Sequence, residues 1–307
     1  MQFHLDGFRP GDPDVHAPAA DLRDRSGPLP ETIDVLIAGC GPAGLCLAAQ
    51  LSLEPSIRTM IVEPKLTPME KGQADGINVR SMEMFQAFGF ADKVKRESVW
   101  INETTFWSPD PANPGHIHRV GRVQDVADGL SEMPHVLINQ ARVHDLFMDV
   151  MKNSPTRLEP DYGLKVVDVV VDPAADDYPV TVTLERTSPE REGQRETIRA
   201  RYVVGCDGAR SSVRQAIGGA LHGDAAHQAW GVMDILAVTD FPDYRMKAII
   251  QSAGEGAILV LPREGGYLVR LYVELDQLAE DERVADRGMG VDDIIAKAKR
   301  ILAPHTL

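Results

Sequence analysis

The chain has 307 residues with 43% hydrophobic and 25% charged side chains, enough for one large domain or two ordinary ones around a sizeable core. A formal net charge of -14 argues against nucleic acid and anionic membrane surfaces, which need clustered Lys and Arg, and points to small-molecule ligands. The three cysteines, Cys40, Cys46 and Cys206, lack C-x-x-C spacing, which argues against a disulfide framework or a metal site. Without a run of about eighteen apolar residues the chain reads as cytoplasmic and off the membrane. Residues 1–31 are rich in Pro, Asp and Arg, an arm rather than a signal peptide.

Residues 33–38, Ile-Asp-Val-Leu-Ile-Ala, form an apolar run that breaks into Gly39-Cys40-Gly41-Pro42-Ala43-Gly44 before a Leu- and Ala-rich stretch. The order is strand, glycine turn, helix. Gly39 permits the sharp turn, Gly41 lets backbone approach a pyrophosphate, and Gly44 lets the helix pack closely on the strand. The helix N-terminus then offers its amides to phosphates. A second apolar strand, residues 59–62, ends on Glu63, whose two carboxylate oxygens can accept from both hydroxyls of a ribose. A G-x-G-x-x-G string alone fits an ordinary glycine turn. Strand, turn, helix, strand and terminal acid in that order predict a dinucleotide site, without saying which dinucleotide.

Next, Lys71-Gly72-Gln73-Ala74-Asp75-Gly76 reads as a loop before a helix with Met82, Phe85 and Phe88 on neighbouring faces and Gly89 as its stop. On residue chemistry alone Asp75 is a turn or N-cap residue. Strand periodicity follows at 104–107 and 117–123, a sheet region inserted into the nucleotide domain. Residues 134–140 lead through a strand into a helix whose Val143, Leu146, Phe147, Val150 and Met151 share a core face. His135 stands at the strand boundary, where a backbone partner would suffice. Gln140, at the strand-to-helix turn, can cap or meet a ligand.

Residues 164–171, 180–184 and 197–204 read as strands. The last leads into Cys206-Asp207-Gly208-Ala209-Arg210-Ser211 and a helix. This second strand end with acid and glycine predicts another phosphate-facing helix start, and therefore FAD, which is too long for one turn to hold. Further strands are expected at 231–239, 246–251, 257–261 and 267–274. In the last, Leu268, Arg270, Tyr272 and Glu274 share a face that meets either water or a polar pocket. Lys247, sharing a face with Ile249 and Gln251, poses the same choice. A final helix carries Val291, Ile294, Ile295, Ala298 and Ile301 on an apolar face with no partner downstream, which predicts that further chain covers it.

Together, the Gly39 to Gly44 turn with Glu63, Gly72-Gln73-Ala74-Asp75-Gly76, Asn139-Gln140-Ala141-Arg142, Cys206-Asp207-Gly208-Ala209-Arg210-Ser211, Trp230-Gly231-Val232-Met233-Asp234, Phe241-Pro242-Asp243 and Pro262-Arg263-Glu264 with Arg270-Leu271-Tyr272 resemble the single-component flavin aromatic hydroxylases of the phenol hydroxylase type. The resemblance implies an α/β (α+β) fold of the p-hydroxybenzoate hydroxylase type. In it a Rossmann-like FAD-binding domain, residues 32–100 and 136–228, is interleaved with a β-sheet substrate domain, residues 101–135 and 229–290. Residues 291–307 would start a helix continuing into a C-terminal part. The resemblance places Asp75, His135, Lys247 and Tyr272 in the substrate pocket, Asp75 and Tyr272 being catalytic. It places Gly39, Gly41, Pro42, Ala43, Gly44, Glu63, Gln73, Gln140 and Asp207 against FAD.

The implied reaction hydroxylates a phenolic aromatic acid, 3-hydroxybenzoate to 3,4-dihydroxybenzoate, using O2 and NADPH or NADH through a flavin C4a-hydroperoxide, in a homodimer. Asp75 would make the phenol more phenolate-like, and Lys247, as a lone cation, would hold the carboxylate with His135. Phenol is the alternative substrate. No second G-x-G-x-x-G serves the nicotinamide, which implies transient binding. Gly223-Asp224 copies the letters of the family's flavin-contacting Gly-Asp motif but follows directly on the Asp207 turn. The true motif and a thioredoxin-like domain are therefore expected beyond Leu307, and residues 1–307 alone are expected to be inactive. Two other classes fit parts of the sequence. A nicotinamide-dependent dehydrogenase leaves the Asp207 motif unexplained, and a non-catalytic binding protein on the same fold, as in GDP-dissociation inhibitors, differs by its lack of flavin colour.

Overall fold

A computed structural model describes residues 2–4, 7–9, 12, 14–72, 74–224, 228–277 and 288–307. In chain order the first elements are β1 (Gln2–His4), β2 (Gly7–Arg9), β3 (Thr32–Ala38), α1 (Pro42–Leu51), β4 (Thr59–Glu63), β5 (Gly76–Ile77), α2 (Val79–Ala87) and α3 (Ala91–Glu97). Then come β6 (Val99–Ile101), β7 (Glu103–Pro109), β8 (Ile117–Gln124), β9 (His135–Leu137), α4 (Gln140–Asn153), β10 (Asp161–Tyr162), β11 (Leu164–Val171), β12 (Val180–Arg186), β13 (Arg195–Gly205) and α5 (Ser212–Ala216). The last are β14 (Gln228–Leu236), β15 (Lys247–Gln251), β16 (Ala257–Pro262), β17 (Leu268–Gln277) and α6 (Val291–Ile301).

The chain divides into two compact units, residues 1–72 with 140–222 and residues 73–139 with 223–307. Residues 73–100 and 136–139, expected with the nucleotide unit, group with the second. The reason is a three-stranded sheet in which β9 pairs antiparallel with both β5 and β6.

In the first unit a six-stranded sheet runs β10-β4-β3-β13-β12-β11. Its first four strands are parallel, and β12 and β11 join antiparallel. Parallel strands covered by helices bury both faces, which is why residues 33–38 and 59–62 are near-continuous apolar runs. Leu36, Met60, Val62, Val182, Leu184 and Ile198 form the centre of that core.

The second unit holds the sheet β14-β17-β16-β15-β7-β8, antiparallel except for the β15–β7 pair. Alternation along β17 buries Val269, Leu271 and Val273 and leaves Arg270 and Tyr272 half-buried on the opposite face. Asn78, not Asp75, caps α2: its Oδ1 accepts from the Ser81 N–H at 3.0 Å. The strand expected to reach residue 239 ends at Leu236.

The helix α6 corrects an expectation. It ends at Ile301, and its C-terminal apolar face is already covered: Ala298 and Ile301 are buried in one cluster with Val260, Leu271 and Val273, with Ile294 packed against it, while Val291 stays exposed. The sheet that covers it precedes the helix in sequence. A Cβ on Gly231 would lie 2.9 Å from Ile294 Cδ1 and 3.0 Å from its Cγ2. Gly231→Ala is therefore expected to destabilise the unit by about 1–3 kcal/mol through overpacking. An unchanged urea midpoint would show that α6 does not pack there in solution.

Candidate functional site

In the first unit the sequence pattern becomes a cradle at the ends of parallel strands. Gly39 has φ +98°, and a Cβ there would lie 2.5 Å from the Cys206 carbonyl oxygen. A Cβ on Gly44 would lie 2.0 Å from the Gly39 carbonyl oxygen, so the start of α1 sits hard against the turn. Gly41 differs, since a Cβ there would have no atom within 4 Å. It is the N-cap of α1, with Pro42 next, no side-chain cap and no acid in the first turn. The helix start, with Ala43 and Gly44 in its first turn, therefore keeps the positive end of its dipole for a ligand.

Glu63 is fixed by backbone. Its Oε2 accepts from the Cys40 N–H at 2.9 Å and its Oε1 from the Lys65 N–H at 3.2 Å. Beside it is a cavity of about 230 Å³ whose lining includes Gly41, Glu63, Lys65, His144, Tyr162 and Asp207. Cys40, His144 and Tyr162 were not foreseen as a group. Cys40 Sγ lies 3.7 Å from His144 Nε2. Burial and the nearby Glu63 carboxylate push the Cys40 thiol up to about 12, so it is not a nucleophile. Burial lowers the His144 imidazole and leaves it neutral at pH 7. The signal for His144 was a polar residue on an otherwise apolar helix face.

Asp207 corrects a second expectation. Its Oδ2 accepts from the Ser212 N–H (2.7 Å) and the Val213 N–H (3.3 Å), and its Oδ1 from Ser211 Oγ (2.5 Å). The start of α5 thus faces the protein's own carboxylate, which satisfies its amides before a phosphate could. Asp207 still lines the cavity beside Gly39. Gln140 opens α4 and lies under the preceding loop, because a Cβ on Gly72 would come 2.3 Å from Gln140 Cβ. Gln73 lies outside the described residues.

The second unit brings the remaining expected residues into two clusters. In one, Asp75 is almost fully buried and its Oδ2 accepts from both Arg263 Nη1 and Arg270 Nη1. Arg270 also grips Asp234 through two parallel bonds of 2.7 and 2.8 Å, and Arg263 Nε donates to Glu264 Oε2 at 2.7 Å. The Asp234 bonds chiefly raise the Arg270 guanidinium further, so it is permanently charged. Tyr272 follows Arg270 on the same face and packs by Ile101, Leu137 and Leu261. The polar face of β17 therefore serves a buried ion network, and Arg263 and Arg270 are the members to which the sequence assigned no role.

In the other cluster, His135 Nδ1 lies 2.6 Å from Asp125 Oδ2, and Lys247 Nζ donates to Asp125 Oδ1 at 3.0 Å. Lys247 is thus not a lone cation, and the partner of His135 is a carboxylate rather than backbone. The clusters adjoin: a Cβ on Gly76, next to Asp75, would lie 3.6 Å from His135 Nε2.

The glycine cradle, the open space over Gly41, the fixed Glu63 carboxylate and the orphaned buried atom His144 Nδ1 fit the adenosine diphosphate half of a dinucleotide. Fold and cradle together define a dinucleotide-binding α/β protein with a second, sheet-based unit. The family described as FAD binding domain matches residues 32–307, and the chain belongs to that family. It is 62% identical to the 3-hydroxybenzoate 4-monooxygenase of Comamonas testosteroni over all of this chain and 48% of that protein. It is 40% identical to an FAD-dependent monooxygenase of Aspergillus terreus over 79% of this chain and 39% of that one. The chain therefore spans about half the length, or less, of these relatives.

Among solved structures, p-nitrophenol 4-monooxygenase PnpA from Pseudomonas putida matches with a TM-score of 0.71 at 21% identity, over 89% of this chain and 64% of that one. The flavin-dependent monooxygenase PieE, in complex with FAD and substrate, matches with a TM-score of 0.70 at 20% identity, over 90% and 48%. These likenesses show the fold, that of FAD-dependent aromatic hydroxylases. Among the described residues no helix is long and apolar enough to cross a membrane, and no group of His, Cys, Asp and Glu could hold a metal.

Proposed function

We propose that the protein is an FAD-dependent monooxygenase that hydroxylates 3-hydroxybenzoate to 3,4-dihydroxybenzoate. The observation that carries this reading is that His135 and Lys247, on different strands, come together on the carboxylate of Asp125, next to the Asp75 cluster. The 62% identity with a 3-hydroxybenzoate 4-monooxygenase supports the same substrate. When bound at the cradle, FAD supplies, with O2 and NADPH or NADH, the electrophilic oxygen atom. In the balance one oxygen atom enters the ring and the other leaves as water, with NAD(P)H and one proton consumed.

The chain's own residues bind and orient. Gly39, Gly41, Pro42, Ala43 and Gly44 with Glu63 hold the adenosine diphosphate half, and Gln73, Gln140 and Asp207 are assigned further contacts to the cofactor. Asp75 accepts the hydrogen bond of the substrate hydroxyl and Tyr272 orients it, which draws the phenol, with its ordinary pKa near 10, toward phenolate. Arg263 and Arg270 hold the Asp75 carboxylate in place for this. His135 and Lys247 bind the substrate carboxylate. Location in the cytoplasm, read from the absence of a long apolar run, and assembly as a homodimer belong to the same reading.

The full-length, flavin-loaded protein tests the proposal. 3-Hydroxybenzoate should stimulate NAD(P)H oxidation with matching formation of 3,4-dihydroxybenzoate. Turnover of phenol with none of 3-hydroxybenzoate would favour a phenol 2-monooxygenase instead. Lys247→Met should weaken 3-hydroxybenzoate by about 1.5–3 kcal/mol, roughly ten- to hundredfold, and leave phenol nearly unaffected. Equal losses for both would make Lys247 a structural residue.

A further inference from the structure

Lys247 and His135 are held by Asp125, which no sequence pattern singles out. Asp125 follows the last residue of β8, and its N–H donates to the Asn102 carbonyl at 2.9 Å, which fixes the backbone. Its side chain is only 11% exposed. Oδ1 accepts from Lys247 Nζ at 3.0 Å and from Thr104 Oγ1 at 2.9 Å, while Oδ2 meets His135 Nδ1 at 2.6 Å. Three strands thereby converge on one carboxylate. Thr104 of β7 and Lys247 of β15 are register partners, so their side chains stand side by side on one face of the sheet. His135 arrives from β9, whose first residue pairs with Ile101.

This arrangement does two things. It takes one N–H of the Lys247 ammonium and leaves a group with three donors pinned rather than swinging on its four-carbon stem. It also fixes the His135 ring through Nδ1, which turns Nε2 toward the Gly76 side, next to Asp75. Burial alone would raise the Asp125 carboxyl, but hydrogen bonds from Lys247, His135 and Thr104 outweigh it and hold the group below its ordinary range. Asp125 therefore stays a carboxylate. Lys247, which has N–H donors beyond the one given to Asp125, can still meet a substrate carboxylate.

Resting on the assignment of His135 and Lys247 to a hydroxybenzoate carboxylate, we propose that Asp125 is a positioning residue that makes the two act as one carboxylate-recognition unit and so sets the preference for a carboxylated phenol. Thr104 supports it by holding Oδ1.

The test measures dissociation constants from the change in flavin absorbance of the full-length holoprotein, with 3-hydroxybenzoate and with 3-methylphenol, which keeps the ring and hydroxyl but lacks the charge. Asp125→Asn should weaken 3-hydroxybenzoate about tenfold or more and move 3-methylphenol by less than about twofold. Thr104→Val, which keeps the shape and removes one hydrogen bond, should act in the same direction with about a two- to fivefold loss. If Asp125→Asn does not fold or load flavin, the Thr104→Val ratio decides. Equal loss for both ligands would mean a merely structural role, and no loss for either would mean no role. Tighter 3-hydroxybenzoate binding would mean that Asp125 competes with the substrate for the two cations; each of these three results overturns the proposal. Failure of the wild-type protein to bind 3-hydroxybenzoate at all would instead overturn the reading on which it rests.

Discussion

Gly41→Val is expected to leave the first unit folded and to strip it of FAD. The fold tolerates the change because a Cβ at Gly41 meets no atom within 4 Å and the residue has φ -75° and ψ 179°, open to any side chain. The cofactor does not tolerate it, because that open space at the helix start is where a pyrophosphate must approach the backbone. Strain of about 3 kcal/mol corresponds to roughly a hundredfold loss of FAD affinity. Gly44→Val gives the contrasting result: its Cβ would lie 2.0 Å from the Gly39 carbonyl oxygen, so fold and flavin should be lost together. Flavin content and thermal melting of the two variants separate the effects. Undiminished flavin occupancy in a folded Gly41→Val protein would remove the cradle from the FAD site.

Asp75→Asn should produce the largest combined loss. Asp75 Oδ2 is shared by two guanidiniums whose side chains are 7% and 12% exposed, and removing its charge leaves buried cations short of a counter-ion. Breaking a buried pair from one side costs about 3–5 kcal/mol. Hydroxylation should fall by about 10²–10⁴-fold if the carboxylate also serves the phenol. Arg270→Met should cost less in the Asp75→Asn background than in the wild type, because Arg270 has then already lost one of its two carboxylate partners and keeps only Asp234. Unchanged stability would show that the network does not depend on Asp75. Normal turnover would take Asp75 out of the reaction.

What the sequence made legible was local. Strand, Gly39-x-Gly41-x-x-Gly44, helix, strand and Glu63 lie within one short stretch, and each step has a steric or electrostatic cause that can be read without the fold. The alternation along β17 was equally readable, but its meaning was not, since whether Arg270 meets water or a carboxylate depends on Asp75, which arrives from a distant loop. Asp125 carried no signal for the same reason: an acid after a strand looks like a turn residue, and only the sheet register brings it to Thr104 and Lys247. The start of α5 shows the reverse failure. There the pattern of a phosphate site was present, and the protein's own Asp207 takes its amides. The grouping of residues 73–100 with the second unit is not legible locally, because β5 and β6 are recognisable only through their pairing with β9.

The most direct test of the central claim is isotopic. Full-length protein with FAD, NADPH and 3-hydroxybenzoate should be run under isotopically labelled O2 and the product analysed by mass spectrometry. The account predicts 3,4-dihydroxybenzoate carrying one labelled oxygen atom, formed in step with NADPH consumed. A flavin-free preparation, or NADPH oxidation that yields only hydrogen peroxide and unlabelled 3-hydroxybenzoate, would contradict it.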